Sequence, residues 1–261
     1  MIRKLMKYDL KKMLRVLIYI YIVSISLSII TRLINIGKEI QVIFIIGQVF
    51  AGLTYSALCS ILVNTFVHIL LVFYKNFYKD ESYLTHTLPV SKNKLFLSKY
   101  LSSLIVILSS VIVCIISLFI MFYSKSFMTS LKNFINISIS GFNMPVGLFI
   151  SLIILIIFSQ ICTMISMAFT AIVKANSYNS KRTIKGLSWF AIYYIGAMII
   201  TLLLAIIIFS ITGNISLLFA KNLTQFAFLC LLFIALFAYI SYAILFYLIC
   251  KKLFNKCVNV D

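Results

Sequence analysis

"YLSSLIVILSSVIVCIISLFIMFY", residues 100–123, runs its whole length without one charged side chain. About 20 such residues in a helix, each adding ~1.5 Å, cross the ~30 Å hydrocarbon core of a bilayer. The apolar character is continuous. A membrane strand would instead alternate polar and apolar positions over a shorter segment. Helices and closed barrels are the two backbones that satisfy their own hydrogen bonds in lipid, and this stretch reads as the helix.

Five more runs of the same kind flank it: Val16–Thr31, Ile43–Tyr74, Val146–Val173, Leu187–Thr212 and Phe226–Cys250. The 261-residue chain is 63% hydrophobic, with a mean hydropathy of +1.14. A soluble domain is about half apolar, so the excess must face lipid. The expected fold is an all-α membrane protein with six transmembrane helices in one domain over 1–261. The run at 43–74 is longer than the hydrocarbon core requires and should tilt or protrude.

The basic residues set a direction. The N-terminal segment, the 75–99 loop, the 174–186 loop and the C-terminal tail together hold 18 of the 23 lysines and arginines. The other loops hold only Arg32, Lys38, Lys125, Lys132 and Lys221. Positive charge gathers on cytoplasmic loops. The expectation is therefore that both termini and the 75–99 and 174–186 loops are cytoplasmic. A net charge of +18 then reads as attraction to anionic lipid, with membrane lipid and not nucleic acid as the partner. Richness in Ile, Lys and Asn points to an AT-rich bacterial genome, hence a bacterial plasma membrane.

At the N-terminus, Ile2, Leu5, Met6, Leu10, Met13, Leu14 and Leu17 recur at helical spacing, with Lys and Arg on much of the opposite face. Residues 1–15 read as an interfacial amphipathic helix leading into the first span; the bland alternative is a basic topology signal. No small-x-small cleavage site follows, so a signal peptide is not expected. Trp189, close to Lys185, suits an interfacial anchor.

Several chemistries lack their residues. There is no GxxxxGK[ST] phosphate loop, no HExxH and no GxSxG. No cysteine belongs to a CxxC pair, and with only His68 and His86 no metal site is expected. All five acids, Asp9, Glu39, Asp80, Glu81 and Asp261, lie outside the apolar runs. A proton- or sodium-coupled carrier needs an ionisable group near the midplane, and His68 is the one candidate. The chain is therefore expected to be non-catalytic, without a cofactor of its own.

Polar residues do mark the second run: Gln48, Gly52, Ser56, Ser60, Asn64 and His68 stand four apart. Steps of four drift ~40° each on a 3.6-residue helix, so the stripe winds round it. Two readings stay open. It walls a substrate path or dimer seam, or it is small-and-polar glue between helices.

The 75–99 loop and the start of the third run carry "DESYLTHTLPVSKNKLFLSKYL", residues 80–101. Asp80 and Glu81 suit a helix N-terminus, and 81–88 is long enough for two turns. Pro89 interrupts the chain, and Ser91 can cap a second helix entering the third span. A helix, a break and a helix make a rigid knob for docking a partner, or else a well-capped hairpin with none.

This stretch resembles the first cytoplasmic loop of ABC-2-type transporter permeases, which carry an acid, then Tyr-Leu or Thr-Leu, a Leu-Pro-Val-Ser turn and a basic helix ending in Ser-Lys. Glu81, Leu84, Thr87, Leu88, Pro89, Val90, Ser91, Leu95, Ser98 and Lys99 match that pattern. A basic N-terminal helix, six spans, cytoplasmic termini and a missing ATPase motif match it as well. The resemblance implies a permease subunit with two copies of a separate ABC ATPase, which hold ATP and Mg, and with a second copy or a paralogous permease. It implies coupling through Asp80, Glu81, Tyr83, Leu84, Thr87, Leu88 and Pro89, with a smaller contact at 174–185. Small permeases of this family in low-GC Gram-positive bacteria export amphipathic or antimicrobial peptides, phenol-soluble modulins among them; others move drugs. The competing classes are a membrane scaffold or sensor subunit without a transport path, and a secondary carrier using His68.

Overall fold

The computed structural model describes residues 2–37, 39–79, 81–83, 87, 89–124, 127–133, 136, 146–178, 181–212 and 225–256. Six long helices carry the chain: α1 (Ile2–Ile36), α2 (Gln41–Tyr78), α3 (Lys92–Phe122), α4 (Val146–Ala175), α5 (Arg182–Ile211) and α6 (Gln225–Lys256). A short helix adds 127–133, and no strand occurs among the described residues. All six long helices are long and apolar enough to cross a membrane. The chain is a multi-pass, all-α membrane protein.

The helices outrun the apolar stretches, and they do so at one end. Away from the basic segments, their termini fall within a few residues of the apolar runs. At the basic end, α1 begins at Ile2 and α3 at Lys92, well before the runs at 16–31 and 100–123. Lysine and arginine are good helix formers, and a helix that leaves the hydrocarbon can continue in water. Residues 2–15 are thus the first turns of α1 itself, with no break before the span. At ~1.5 Å per residue, the 35 residues of α1 and 38 of α2 reach about 50–57 Å, well beyond a ~30 Å core.

The chain divides into two compact units, 1–131 and 132–261. Unit 1 packs α1, α2 and α3 against one another. The buried face of α1 is Asp9, Met13, Leu17, Tyr21, Ser24, Ser28 and Thr31, in steps of three and four. In α2 it includes Thr54, Leu58, Ile61, Thr65, Ile69 and Val72. Lipid tails are as apolar as leucine, so contact area alone does not hold membrane helices together; hydroxyls and close approach do. Tyr21 Oη lies 2.6 Å from Ser110 Oγ, which lies 2.8 Å from Thr65 Oγ1, so one serine joins three helices. Thr31 and Thr54 meet hydroxyl to hydroxyl at 2.7 Å. Nearby, α1 and α2 approach so closely that a Cβ on Gly47 would sit 2.8 Å from Asn35 Oδ1. At the basic end, Phe73, Phe77 and Phe96 are fully buried; Phe73 meets Phe77 edge-on at 5.0 Å and Phe96 at 6.5 Å.

Unit 2 packs α4 against α5 and α6. Met167, Ala238 and Tyr242 form its centre, with Phe190, Tyr193, Ala197 and Phe246 around them. Two threonines one heptad apart on α4 bond to carbonyls one heptad apart on α6. Thr163 donates to Tyr239 O at 2.8 Å, and Thr170 to Phe246 O at 3.0 Å. Equal steps of seven keep both contacts on one left-handed seam.

Candidate functional site

Charged side chains gather at the basic end of unit 1. Asp9 on α1 and Lys99 on α3 form an ion pair, and both residues are buried. Ser98 Oγ donates to the second Asp9 oxygen at 3.4 Å. One turn further along α1, Lys12 donates to both carboxylate oxygens of Glu81 and, at 3.2 Å, to Asn76 Oδ1 on α2. The Lys12–Glu81 pair is partly exposed, at 41% and 43% of the side chains. Its two ends therefore differ in kind: a solvated clasp on the loop, and a desolvated pair beneath it.

Glu81 is one of the residues expected in the coupling loop, and it is anchored to the protein's own first helix. Tyr83 beside it is 70% exposed. The Thr87 amide donates to the Tyr83 carbonyl at 3.0 Å, a helical step; Thr87 and Pro89 are exposed. Asp80, Leu84 and Leu88 lie outside the described residues, so the two-turn helix expected over 81–88 is described only at 81–83 and 87. Ser91 does occupy the N-cap of α3, but its hydroxyl makes no capping bond. Its carbonyl instead accepts from the Lys94 and Leu95 amides at 2.9 and 3.2 Å.

The polar stripe on α2 lies mostly away from unit 1's core. Gln48, Gly52, Ser56, Ser60 and Asn64 are exposed, while the buried face is carried by Thr54, Leu58, Ile61 and Thr65. Ser56 bonds its own helix at Leu53 O, and Asn64 donates to Ser60 Oγ at 2.7 Å. The winding explains the pattern: ~40° per step carries the stripe from open surface at Gln48 round to half-buried His68. Its two ends open onto cavities. Gln48 lines one of about 430 Å³ with Arg32, Asn35 and Tyr123. His68 lines one of about 640 Å³ with Lys12, Arg15, Lys75 and Glu81. The seam residues that do join the helices, Tyr21, Thr31, Thr54, Thr65 and Ser110, are ones the stripe reading passes over. The available signal was the seven-residue repeat of Ser103, Ser110 and Ser117 inside the opening stretch.

In unit 2, the turn at 176–178 sets α4 against the start of α5. Lys181 takes a left-handed conformation at φ 51°. Lys174 Nζ stands 3.2 Å from the Trp189 ring centroid, and Lys185 Nζ 4.3 Å from that of Tyr178. The expected anchor Trp189 thus also holds a lysine by its π face. Higher in the unit, a cavity of about 180 Å³ is lined by Met164, Met167, Met198, Tyr194, Tyr239 and Tyr242 with Gln160, Thr163 and Thr201. Thioether and phenol walls adapt to amphipathic contacts. Nothing in the linear sequence marked it, because its walls come from three helices. No family model, curated protein or solved structure matches the chain.

Proposed function

We propose that the chain is the membrane-spanning subunit of an ATP-driven exporter, worked by a separate ATP-binding subunit that docks on the loop at 80–91. The observation that best supports this reading is the clasp of Glu81 on Lys12, which also bonds Asn76. A push on such a loop is delivered to α1 and α2, both of which run on into the apolar region. In this reading the basic end faces the cytoplasm of a bacterial plasma membrane. Two ATPase copies supply ATP hydrolysis, and a second permease chain completes the path. The Met- and Tyr-lined cavity of unit 2 favours an amphipathic cargo, such as a peptide with apolar and polar faces.

The test is co-expression with a candidate P-loop ATPase subunit. Leu84→Asp places a charge at the expected apolar tip, where buried anchors carry most binding energy. Co-purification and ATP-dependent export of amphipathic peptide should fall about tenfold or more, while a Ser130→Ala control is unchanged. If Leu84→Asp still binds its ATPase and exports like the parent, the loop is not the docking element.

A further inference from the structure

The 640 Å³ cavity between α1 and α2 has a charge and a shape that the exporter reading does not use. Lys11, Lys12 and Arg15 on α1 and Lys75 on α2 border it, with Glu81 as the one carboxylate. Four cations against one acid leave an uncompensated charge of about three. Glu81 is engaged by Lys12, whereas Lys11, Arg15 and Lys75 form no ion pair among the described residues. His68 forms the inner wall, and its Nε2 has no hydrogen-bond partner there. The volume lies within the ~300–1,000 Å³ of small-molecule sites.

The walls are also graded. Along α1 the order from the basic end is Tyr8, Lys11, Lys12, Arg15 and then Val16; along α2 it is Lys75, Val72, Leu71 and then His68. Val16 and Leu71 are both about half exposed, as is Val67 one turn deeper, and Tyr19 beside it is more exposed still. The cations therefore sit where the helices leave the hydrocarbon, and an open apolar strip continues from them into it. A free anion would use only the first half of that arrangement. A phosphodiester with acyl chains would use both.

We infer that the cavity binds the phosphate headgroup of an anionic phospholipid, with Lys11, Arg15 and Lys75 as its charged walls and the Val16–Leu71 strip receiving the chains. Basic recesses between membrane helices recognise acidic headgroups by this combination of charge and depth. The lipid would stand beside the Lys12–Glu81 clasp, offering Lys12 a second anion.

The whole chain, purified in detergent, is titrated with phosphatidylglycerol, phosphatidylcholine or inorganic phosphate, and bound lipid is counted by native mass spectrometry. One phosphatidylglycerol should be retained in preference to phosphatidylcholine. Lys11→Gln, Arg15→Gln and Lys75→Gln together should weaken it at least about tenfold. Removing the same charge elsewhere, through Lys4→Gln, Lys251→Gln and Lys252→Gln, should change it less than about twofold. The charge-conserving Lys11→Arg with Lys75→Arg should retain binding, which separates loss of charge from loss of fold. Equal weakening by both charge-removing triples would mean a diffuse field and overturn the site. Saturation by inorganic phosphate that displaces the lipid at similar concentration would reassign the cavity to a free anion.

Discussion

Units 1 and 2 are built from helices of similar length, yet they are packed very differently. In the apolar windows of α1, α2 and α3, 28%, 33% and 28% of residues are buried; in α4, α5 and α6 the figures are 17%, 11% and 11%. Unit 1 closes on itself through hydroxyl-to-hydroxyl contacts and a desolvated ion pair. Unit 2 uses hydroxyls that donate to backbone carbonyls, and α5 keeps an apolar surface on nearly every side, from Ile192 and Ile195 to Leu202 and Ile207. Apolar contact costs little to exchange for lipid. A helix bundle in a membrane is therefore only as fixed as its polar seams, and among the described residues unit 1 has more of them.

The largest effect should come from the Asp9–Lys99 pair. Removing one partner of a buried pair leaves an uncompensated charge and costs about 3–5 kcal/mol. Lys99→Met should lower the midpoint of thermal unfolding in detergent sharply, whereas Asp9→Leu combined with Lys99→Met should recover most of the loss. A single substitution that is no worse than the double would show that the pair is wetter than its burial implies.

A smaller difference should separate the seams themselves. Ser110→Ala removes contacts to both Tyr21 and Thr65 and should cost about 1–2 kcal/mol. Thr163→Val, the same volume in unit 2, loses one interhelical bond, to the Tyr239 carbonyl, and should cost about 0.6 kcal/mol. A Tyr21→Phe, Ser110→Ala double-mutant cycle measures the coupling directly. Equal costs in the two units would erase the contrast drawn from their hydroxyls.

The smallest effect belongs to the Lys12–Glu81 clasp. Being partly solvated, it should contribute less than about 1 kcal/mol, and salt should weaken it further. Glu81→Gln should leave the unfolding midpoint within a degree or two while hastening proteolysis between Lys79 and Lys92. A large stability loss would make the clasp part of unit 1's core.

The six spans were legible because lipid imposes a long apolar run on any crossing helix, and the opening stretch alone carries that signal. The helical basic ends of α1 and α3 were legible as well, from the apolar spacing of Ile2 to Leu17 and the cap at Ser91; what the pattern did not carry is that residues 2–15 run into the first span as one unbroken helix. Among the loop residues, Glu81 was legible as an acid suited to a helix N-terminus, not as the partner of a cation within the chain. Its cation proved to be Lys12, 69 positions earlier, a pairing that only the fold can make. The step-of-four residues on α2 stand out because glutamine, asparagine and histidine are conspicuous in a greasy helix. The serines that join the helices were inconspicuous, since one hydroxyl in an apolar run looks incidental until it finds another.

The pairing of Asp9 with Lys99 also bears on the order in which the protein is made. The two residues are 90 positions apart, and a ribosome adds roughly 5–20 residues per second. The acid on the first helix therefore waits about 5–18 s before its lysine has even been synthesised, and longer before α3 is inserted. During that interval α1 and α2 can be in the membrane, but the end of α1 carries an unmatched charge that keeps it in water. Arrival of α3 is then the event that seats the N-terminal turns, so the beginning of the chain is among the last parts of unit 1 to settle.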